Sequence, residues 1–293
     1  MTEMKLGMVG LGRMGSGMTE RLRRDGHEVM TYDPKVESTA SSLEELATQL
    51  EPPRAVWLMI PSGEPTESAF GELLGILESG DTIVDGGNSN FHDSKRRSAE
   101  ASEHGIDFVD VGVSGGIWGL TEGFCLMAGG PDEPVKRLEP VLTSLAPEDG
   151  WAHVGPSGAG HFVKMVHNGI EYGLMQSYGE GFEILHASEY DLDFEQISGI
   201  WRYGSVVRSW LLELLHGAFD QHGGGLDDIA GYVADSGEGR WTALESIELG
   251  VPAPAITAAL MNRFSSQGGS DYERKLLAMM RAGFGGHAVQ KAP

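Results

Sequence analysis

The sequence predicts a doubly wound α/β domain with a mainly parallel sheet, followed by an all-α C-terminal domain. Three observations carry this. Short apolar runs of strand type alternate with helical stretches through the first half. A Gly-x-Gly-x-x-Gly run at Gly10, Gly12 and Gly15 stands where the first apolar run ends. After Gly155-Pro156-Ser157-Gly158 no further stretch reads as a buried strand.

Met4 to Val9 is the first apolar run, and it meets Gly10-Leu11-Gly12-Arg13-Met14-Gly15 before a helical pattern through Met18, Leu22 and Arg23. Glu28 to Tyr32 reads as the second strand, closed by Asp33-Pro34. Leu43 to Leu50 is helical, Ala55 to Ile60 a strand, Glu67 to Leu77 helical and Thr82 to Val84 a strand. Ser94 to His104 and Asp107 to Val113 give the next helix and strand. Strands near Phe124–Met127 and Trp151–Val154 finish the sheet. Helical connections between strands are what parallel pairing requires.

A long helical stretch then runs from Ala159 to His186. Phe194–Tyr203, Val206–Phe219, Thr242–Leu249, Ala255–Phe264 and Tyr272–Arg281 read as further helices, punctuated by glycines at 223–225 and 237–239 and by Pro252 and Pro254. The expected division is a Rossmann-type dinucleotide-binding domain over residues 1–156 and a helical domain over 157–293.

The length of 293 residues suits two domains, and 40% hydrophobic residues are enough for real cores. No apolar run approaches membrane-spanning length. Met1-Thr2-Glu3-Met4-Lys5-Leu6 lacks the basic start and apolar stretch of a signal peptide. Cys125 is the only cysteine, which excludes an intramolecular disulfide and fits a reducing compartment. The expected location is the cytoplasm.

Asp and Glu number 43 against 21 Lys and Arg, a formal charge of −22. That argues against non-specific nucleic-acid binding, which needs clustered positive charge. The acidic residues are dispersed, and the only lysines are Lys5, Lys35, Lys95, Lys136, Lys164, Lys275 and Lys291. A surface of this kind points to a salt-rich cytoplasm, where self-repulsion is screened; the plainer reading is an ordinary acidic enzyme. Either way, an anion site must stand out as a local cationic island.

In the glycine run, Gly10 allows a tight turn, Gly12 lets the backbone approach a pyrophosphate and Gly15 permits close helix–strand packing. The N-terminus of the following helix attracts the anion. The cofactor set is therefore Gly10, Leu11, Gly12, Arg13, Met14 and Gly15, with Asp33 at the end of the second strand. A carboxylate there accepts hydrogen bonds from ribose hydroxyls and repels a 2′-phosphate, which favours NAD over NADP. The alternative is a turn-forming Asp33 before Pro34.

The stretch Gly158 to Gly173 is the most informative. On a helix, Lys164, His167, Asn168, Glu171 and Tyr172 share one stripe. Phe162, Met165, Val166, Ile170 and Leu174 occupy other faces as packing positions. A lysine whose charged form is disfavoured by burial is a general base near neutral pH, and Glu171 supplies a second titratable group. The plain alternative is an exposed helix side with a Lys–Glu ion pair.

The run Lys164 to Gly173 resembles the catalytic helix of the decarboxylating 6-phosphogluconate dehydrogenases, within the β-hydroxyacid dehydrogenase superfamily. Asp85-Gly86-Gly87-Asn88-Ser89, Val113-Ser114-Gly115-Gly116 and Gly239-Arg240-Trp241-Thr242 agree with it. So does the tail Arg281-Ala282-Gly283-Phe284-Gly285-Gly286-His287. The length is similar to that of the family's short class.

The resemblance implies that Lys164 takes the C3 hydroxyl proton as hydride leaves for NAD, then polarises the ketone while CO2 is lost. It implies that Glu171 protonates C1 of the enediol, giving ribulose 5-phosphate, with no metal. Asn88, which belongs to the cofactor set as well, joins Ser114, Gly115, Gly116, His167 and Asn168 around the substrate's carboxylate and hydroxyls. Tyr172, Arg263 and Arg281 hold the phosphate and His287 completes the pocket. The tail's Arg281 and His287 come from the neighbouring subunit, so residues 157–293 become a substrate and dimerisation domain. The partners implied are a phosphorylated sugar acid and a second copy of the chain, as a homodimer or homotetramer, with no nucleic acid and no membrane.

One segment departs from the family pattern. Where longer members carry Lys-Gly-Thr-Gly-Lys-Trp-Thr, this chain reads Ser236-Gly237-Glu238-Gly239-Arg240-Trp241-Thr242. A phosphate-binding lysine and threonine are thus Ser236 and Glu238, which leaves Arg240 as the cation able to compensate. Two other functions share parts of this pattern. A non-decarboxylating β-hydroxyacid dehydrogenase of the 3-hydroxyisobutyrate or tartronate-semialdehyde type shares the glycine run, the Ser-Gly-Gly turn and the helix lysine. It needs neither the His167-Asn168 and Glu171-Tyr172 pairs nor Arg263, Arg281 and His287. A non-catalytic NAD-binding sensor requires neither Lys164 nor Glu171.

Overall fold

The computed structural model describes residues 3–268 together with Glu273, Lys275, Leu276, Met279 and Met280. The chain divides into two compact units, Met1–His167 and Asn168–Pro293.

The first unit holds a seven-stranded sheet. Strand β1 (Lys5–Val9) leads into helix α1 (Arg13–Arg24), β2 (Glu28–Tyr32) into α2 (Leu43–Thr48), β3 (Ala55–Leu58) into α3 (Glu64–Ile76), and β4 (Thr82–Asp85) into α4 (Phe91–Glu103). Strand β5 (Asp107–Ser114) is followed by a 3₁₀ turn, Gly116–Trp118, and the short α5 (Gly119–Glu122). Then come β6 (Cys125–Gly129), α6 (Asp132–Arg137), α7 (Glu139–Leu145) and β7 (Trp151–Gly155). The strand order is β2-β1-β3-β4-β5-β6-β7, parallel except for the antiparallel β5–β6 pair. The chain steps to one side of β1 to make β2 and to the other to make β3. The C-terminal ends of β1 and β3 therefore flank a topological switch point, the place where ligands bind in such sheets.

Neighbouring residues on each strand feed opposite layers, as the two-residue period requires. Leu6, Met8, Trp57, Val84, Val109 and Val111 pack with Met18, Leu22 and Leu142. Val9, Val56, Leu58, Ile83 and Phe108 pack with Leu46, Phe70 and Leu73 on the other face. Both faces are covered, so the strands read as near-continuous apolar runs.

The second unit is helical among the described residues. Helix α8 (Ala159–His186) continues into it from the first unit, and α9 (Phe194–Trp201), α10 (Trp210–His222), α11 (Glu238–Glu248) and α12 (Pro254–Ser266) follow. Two small cores hold it: Tyr172, Ala243, Ala259 and Leu260, and Phe182, Phe194, Leu212 and Phe219.

The sequence reading differs from this structure in several places. Helix α10 starts at Trp210, not Val206, because the Ser209 hydroxyl accepts from the Leu212 N–H at 3.1 Å and caps it there. Helix α11 starts at Glu238 instead of Thr242, after Gly237 turns the chain at φ +95°. Helices α6 and α7 fill a stretch read without helices; Pro134 and Pro140 obscure the pattern. Ile170 and Leu174 do not pack within the chain: they are 52% and 46% exposed, while Lys164, Asn168 and Tyr172 of the polar stripe are buried. Most of the helix expected over 272–281 lies outside the described residues, as do Arg281 and His287.

Candidate active site

The expected site residues fall into two sets, one on each unit. On the first, the turn between β1 and α1 is pinched at two glycines. A Cβ on Gly10 would lie 2.5 Å from the Met59 carbonyl oxygen, and one on Gly15 would lie 2.0 Å from the Gly10 carbonyl oxygen. Gly12, the N-cap of α1, faces open space within 4 Å and has no side-chain cap. The first turn of α1 carries no acidic residue, and Arg13 is exposed. This cradle of open N–H groups suits an anion, and a side chain at Gly12 would fill it. Leu11 and Met14 turn their side chains to the core.

Asp33 stands half-buried just beyond β2. Its Oδ2 accepts from the Leu11 N–H at 2.7 Å and its Oδ1 from the Lys35 N–H at 2.8 Å. Burial works to raise its pKa, but the backbone N–H groups and the Lys35 charge together hold it below the ordinary carboxylate value. Asp33 is therefore an anion beside the glycine turn. Asn88 is exposed on the turn after β4.

Strand β5 ends in Ser114, whose Oγ lies 3.3 Å from His167 Nε2. Gly115 and Gly116 follow at φ +127° and +54°, conformations that side chains resist. One turn of helix before His167 lies Lys164, only 5% exposed and the one buried lysine among the described residues. Glycines seat it. A Cβ on Gly112 of β5 would lie 2.4 Å from the Lys164 Cβ, and one on Gly160 would lie 2.4 Å from the carbonyl oxygens of Asp110 and Met127.

Asp110, fully buried on β5, fixes the start of α8. Its Oδ1 accepts from the Gly158 N–H at 2.6 Å and its Oδ2 from the His161 N–H at 2.9 Å. Burial pushes the Asp110 carboxyl up, against the lowering effect of His161 and these N–H groups. His161 is buried too, with Nδ1 at 2.7 Å from Ser94 Oγ.

On the second unit, Asn168 and Tyr172 are buried and Glu171 is half-buried. Two glycines bring α8 and α11 together. A Cβ on Gly169 would lie 2.6 Å from Thr242 Cγ2, and one on Gly239 would lie 2.5 Å from the Tyr172 ring. The Tyr172 hydroxyl lies 3.4 Å from Asp235 Oδ1 and 3.3 Å from Ser236 Oγ. The Arg263 guanidinium lies over the Tyr172 ring, 3.4 Å from its centroid, and donates to the Ala234 carbonyl at 2.9 Å. Arg240 pairs with Asp235 and lies over Phe264 at 4.4 Å. Burial opposes the Asp235 charge, but the Arg240 hydrogen bond leads the groups that keep its pKa lowered. Ser236 is exposed and Glu238 is buried in the first turn of α11.

Sequence reading missed Asp110 and Asp235. Asp110 had a legible signal, a lone carboxylate within the apolar run Phe108 to Val113. Asp235 had none, since an aspartate before Ser-Gly reads as an ordinary turn residue.

A switch-point sheet with a glycine-pinched turn and an anionic residue closing β2 defines the class: a dinucleotide-binding α/β protein with a helical second domain. Residues 5–155 match the NAD binding domain of 6-phosphogluconate dehydrogenase, and residues 160–282 match the 6-phosphogluconate dehydrogenase C-terminal domain. The chain belongs to the 6-phosphogluconate dehydrogenase family. It is 42% identical to a Haloferax volcanii protein named 6-phosphogluconate dehydrogenase, NAD(+)-dependent, decarboxylating, over 98% of this chain and 99% of that one. It is similar to Plasmodium falciparum 6-phosphogluconate dehydrogenase, solved in apo form, with NADP+ and with 6-phosphogluconate. The TM-score is 0.77 at 28% identity, over 99% of this chain and 66% of that one. Mycobacterium tuberculosis 3-hydroxyisobutyrate dehydrogenase gives 0.72 at 21% identity, over 92% and 94%, a likeness of fold alone.

Proposed function

We propose that the chain oxidises and decarboxylates 6-phosphogluconate to ribulose 5-phosphate and CO2, with NAD as oxidant. One observation carries the chemistry: Lys164, the buried lysine, sits on α8 against β5, next to the strand end that presents Ser114. It lies in a chain whose length-matched relative is named for this reaction with NAD(+).

Bound NAD supplies the hydride acceptor. Gly10 to Gly15 and the N-terminus of α1 hold its pyrophosphate, and Asp33 accepts from ribose hydroxyls and repels a 2′-phosphate. Lys164 Nζ takes the proton of the C3 hydroxyl, leaving a 3-keto acid. Protonated Lys164 then donates to the C3 oxygen as the C1–C2 bond breaks and CO2 leaves. Glu171 protonates the carbanion-like carbon of the enediol, which becomes C1 of the product, while Lys164 takes back the hydroxyl proton. Lysine ends protonated and glutamate ionised, so one proton passing between them restores the start. Lys164 and Glu171 are seven residues apart on α8, a rise of about 10 Å along one face, enough to reach different carbons of one sugar acid.

Asn88, Ser114, Gly115, Gly116, His167 and Asn168 bind the carboxylate and hydroxyl end. Tyr172, Arg263 and Arg281 bind the phosphate, His287 completes the pocket, and Arg240 replaces the cation lost at Ser236. Arg263 over the Tyr172 ring, and Arg240 paired with the Asp235 that the Tyr172 hydroxyl faces, support this by bringing two guanidinium groups near Tyr172 in a chain of formal charge −22. The active form is a homodimer or homotetramer to which Arg281 and His287 are supplied by a neighbouring copy. Ile170, Leu174, Met175 and Ile184, exposed along α8, support a covered face. The enzyme works in the cytoplasm, in keeping with its single cysteine.

Product analysis in D2O tests the chemistry. The reading expects ribulose 5-phosphate with one deuterium at C1; a product that still carries the carboxylate overturns it.

A further inference from the structure

The turn that carries Asn88 is held from three sides. Asp85, the last residue of β4, reaches forward to its own continuation: the Gly87 N–H donates to Oδ1 at 3.1 Å and the Ser89 hydroxyl donates to Oδ2 at 2.7 Å. Asn88 is the residue between these two anchors, and it is exposed while Gly86, Gly87 and Ser89 are buried. Beneath the turn lie β3 and the residues just after it. A Cβ on Gly86 would fall 2.2 Å from Trp57 Nε1, and one on Gly87 would fall 2.8 Å from the Ile60 carbonyl oxygen.

Asp85 is in turn held from behind. Arg97 of α4 is 0% exposed, and its Nη1 donates to Asp85 Oδ2 at 2.8 Å. The other edge of the same guanidinium faces α3, where Nη2 and Nε donate to Glu67 Oε1 at 2.7 and 3.2 Å. Arg96, on the surface, pairs with Glu67 as well. Burial opposes the Glu67 charge, but Arg97 and Arg96 outweigh it and hold its pKa below the ordinary value.

Packing alone does not call for such an arrangement. Apolar residues of similar volume join two helices to a sheet at least as well as a buried ion pair does. What the planar guanidinium adds is direction. Pinned by two carboxylates on opposite edges, it fixes the rotation of the Asp85 side chain. That rotation fixes where the Gly87 N–H and the Ser89 hydroxyl must lie.

We propose that Glu67, Arg97, Asp85 and Ser89 form a positioning relay that sets Asn88 for binding. The inference rests on the reading of Asn88 as a substrate and cofactor contact. None of the four is a catalytic residue; they act through Asn88.

The test uses the full chain with Ser89→Ala, Arg97→Lys and Arg97→Met, each alone and combined with Asn88→Ala. Steady-state kinetics with 6-phosphogluconate and NAD are read beside thermal unfolding. Ser89→Ala removes one tether and little volume, so it carries the test even where an Arg97 variant fails to fold. The relay expects Ser89→Ala to lower kcat/KM by about tenfold with unfolding near wild type. It expects Arg97→Lys to recover part of the loss seen in Arg97→Met. In the Asn88→Ala background each further change falls within about twofold. A large Asn88→Ala effect to which Ser89→Ala and Arg97→Lys add in full overturns the relay and leaves the binding role of Asn88 standing. Variants that shift unfolding alone overturn it too. A kinetically silent Asn88→Ala removes that binding role, and the relay falls with it.

Discussion

Gly112 of β5 and Lys164 of α8 touch so closely that a methyl group on Gly112 would fall 2.4 Å from the Lys164 Cβ. No side chain larger than hydrogen fits at 112 while the lysine keeps its place. Gly112→Ala must therefore move the helix or the strand. Overpacking of this kind costs about 1–3 kcal/mol. A shift of the base by about an ångström costs on the order of a hundredfold in rate. Gly112→Ala is expected to fold with lowered stability and to lose kcat far out of proportion, read by denaturant unfolding and steady-state kinetics. Wild-type kcat in the variant would show that the contact does not place the base.

Lys164→Ala removes the proposed proton acceptor and leaves the glycine turn of α1 untouched. Turnover should vanish while NAD binding, followed by protein fluorescence, stays near wild type. Near-normal turnover would assign the base elsewhere.

Asp33 is kept anionic by the Leu11 and Lys35 N–H groups and the Lys35 charge. Asp33→Ala should raise the kcat/KM for NADP relative to NAD by at least about tenfold, or about 1.4 kcal/mol, since like charges in contact cost up to several kcal/mol. Unchanged discrimination would move the selectivity to another residue.

Asp235 has a depressed pKa in the folded chain, so its sign is that of a stabilising carboxylate. Its contribution is present above the unfolded value, about 4, and is lost as pH falls through the folded value. The stability gap between wild type and Asp235→Asn should be largest at about pH 6 and smaller at about pH 3, below the unfolded value. Denaturant unfolding at both values measures it, and a gap that widens in acid would contradict the assignment. At neutral pH the same variant releases Arg240, and its KM for 6-phosphogluconate should change more than its kcat.

With 43 acidic against 21 basic residues, the folded chain repels itself at low ionic strength. Molar KCl should raise the unfolding temperature above its value in dilute buffer, as screening lengths shrink to a few ångströms. A lower midpoint in salt would make the acidic surface incidental.

The alternation of strand and helix was legible because both faces of the sheet are covered, which leaves β3 an unbroken apolar run and gives β4 and β5 apolar centres. The glycine turn was legible because its residue types follow from steric need at Gly10 and Gly15. Lys164 was legible as part of the polar stripe that it shares with His167, Asn168, Glu171 and Tyr172 on α8. Long-range pairings were not. Nothing local to Asp110 tells that it receives N–H groups from residues 158 and 161, or that Arg97 reaches Asp85 and Glu67 at once. The burial of Glu238, at the position where the family pattern has a phosphate-binding threonine, likewise depends on how α11 packs. The exposure of Ile170 and Leu174 was misread because a helix with two apolar sides does not announce which one its own chain covers.

The most direct test is to follow nicotinamide reduction with 6-phosphogluconate, offering NAD or NADP at low and molar salt while trapping evolved CO2. Reduced NAD and CO2 in equal amounts, with NADP slower, are the predicted result. Reduction without CO2 would contradict it and leave a simple hydroxyacid dehydrogenase, and no reduction under any condition, with NAD still bound, would leave a binding protein.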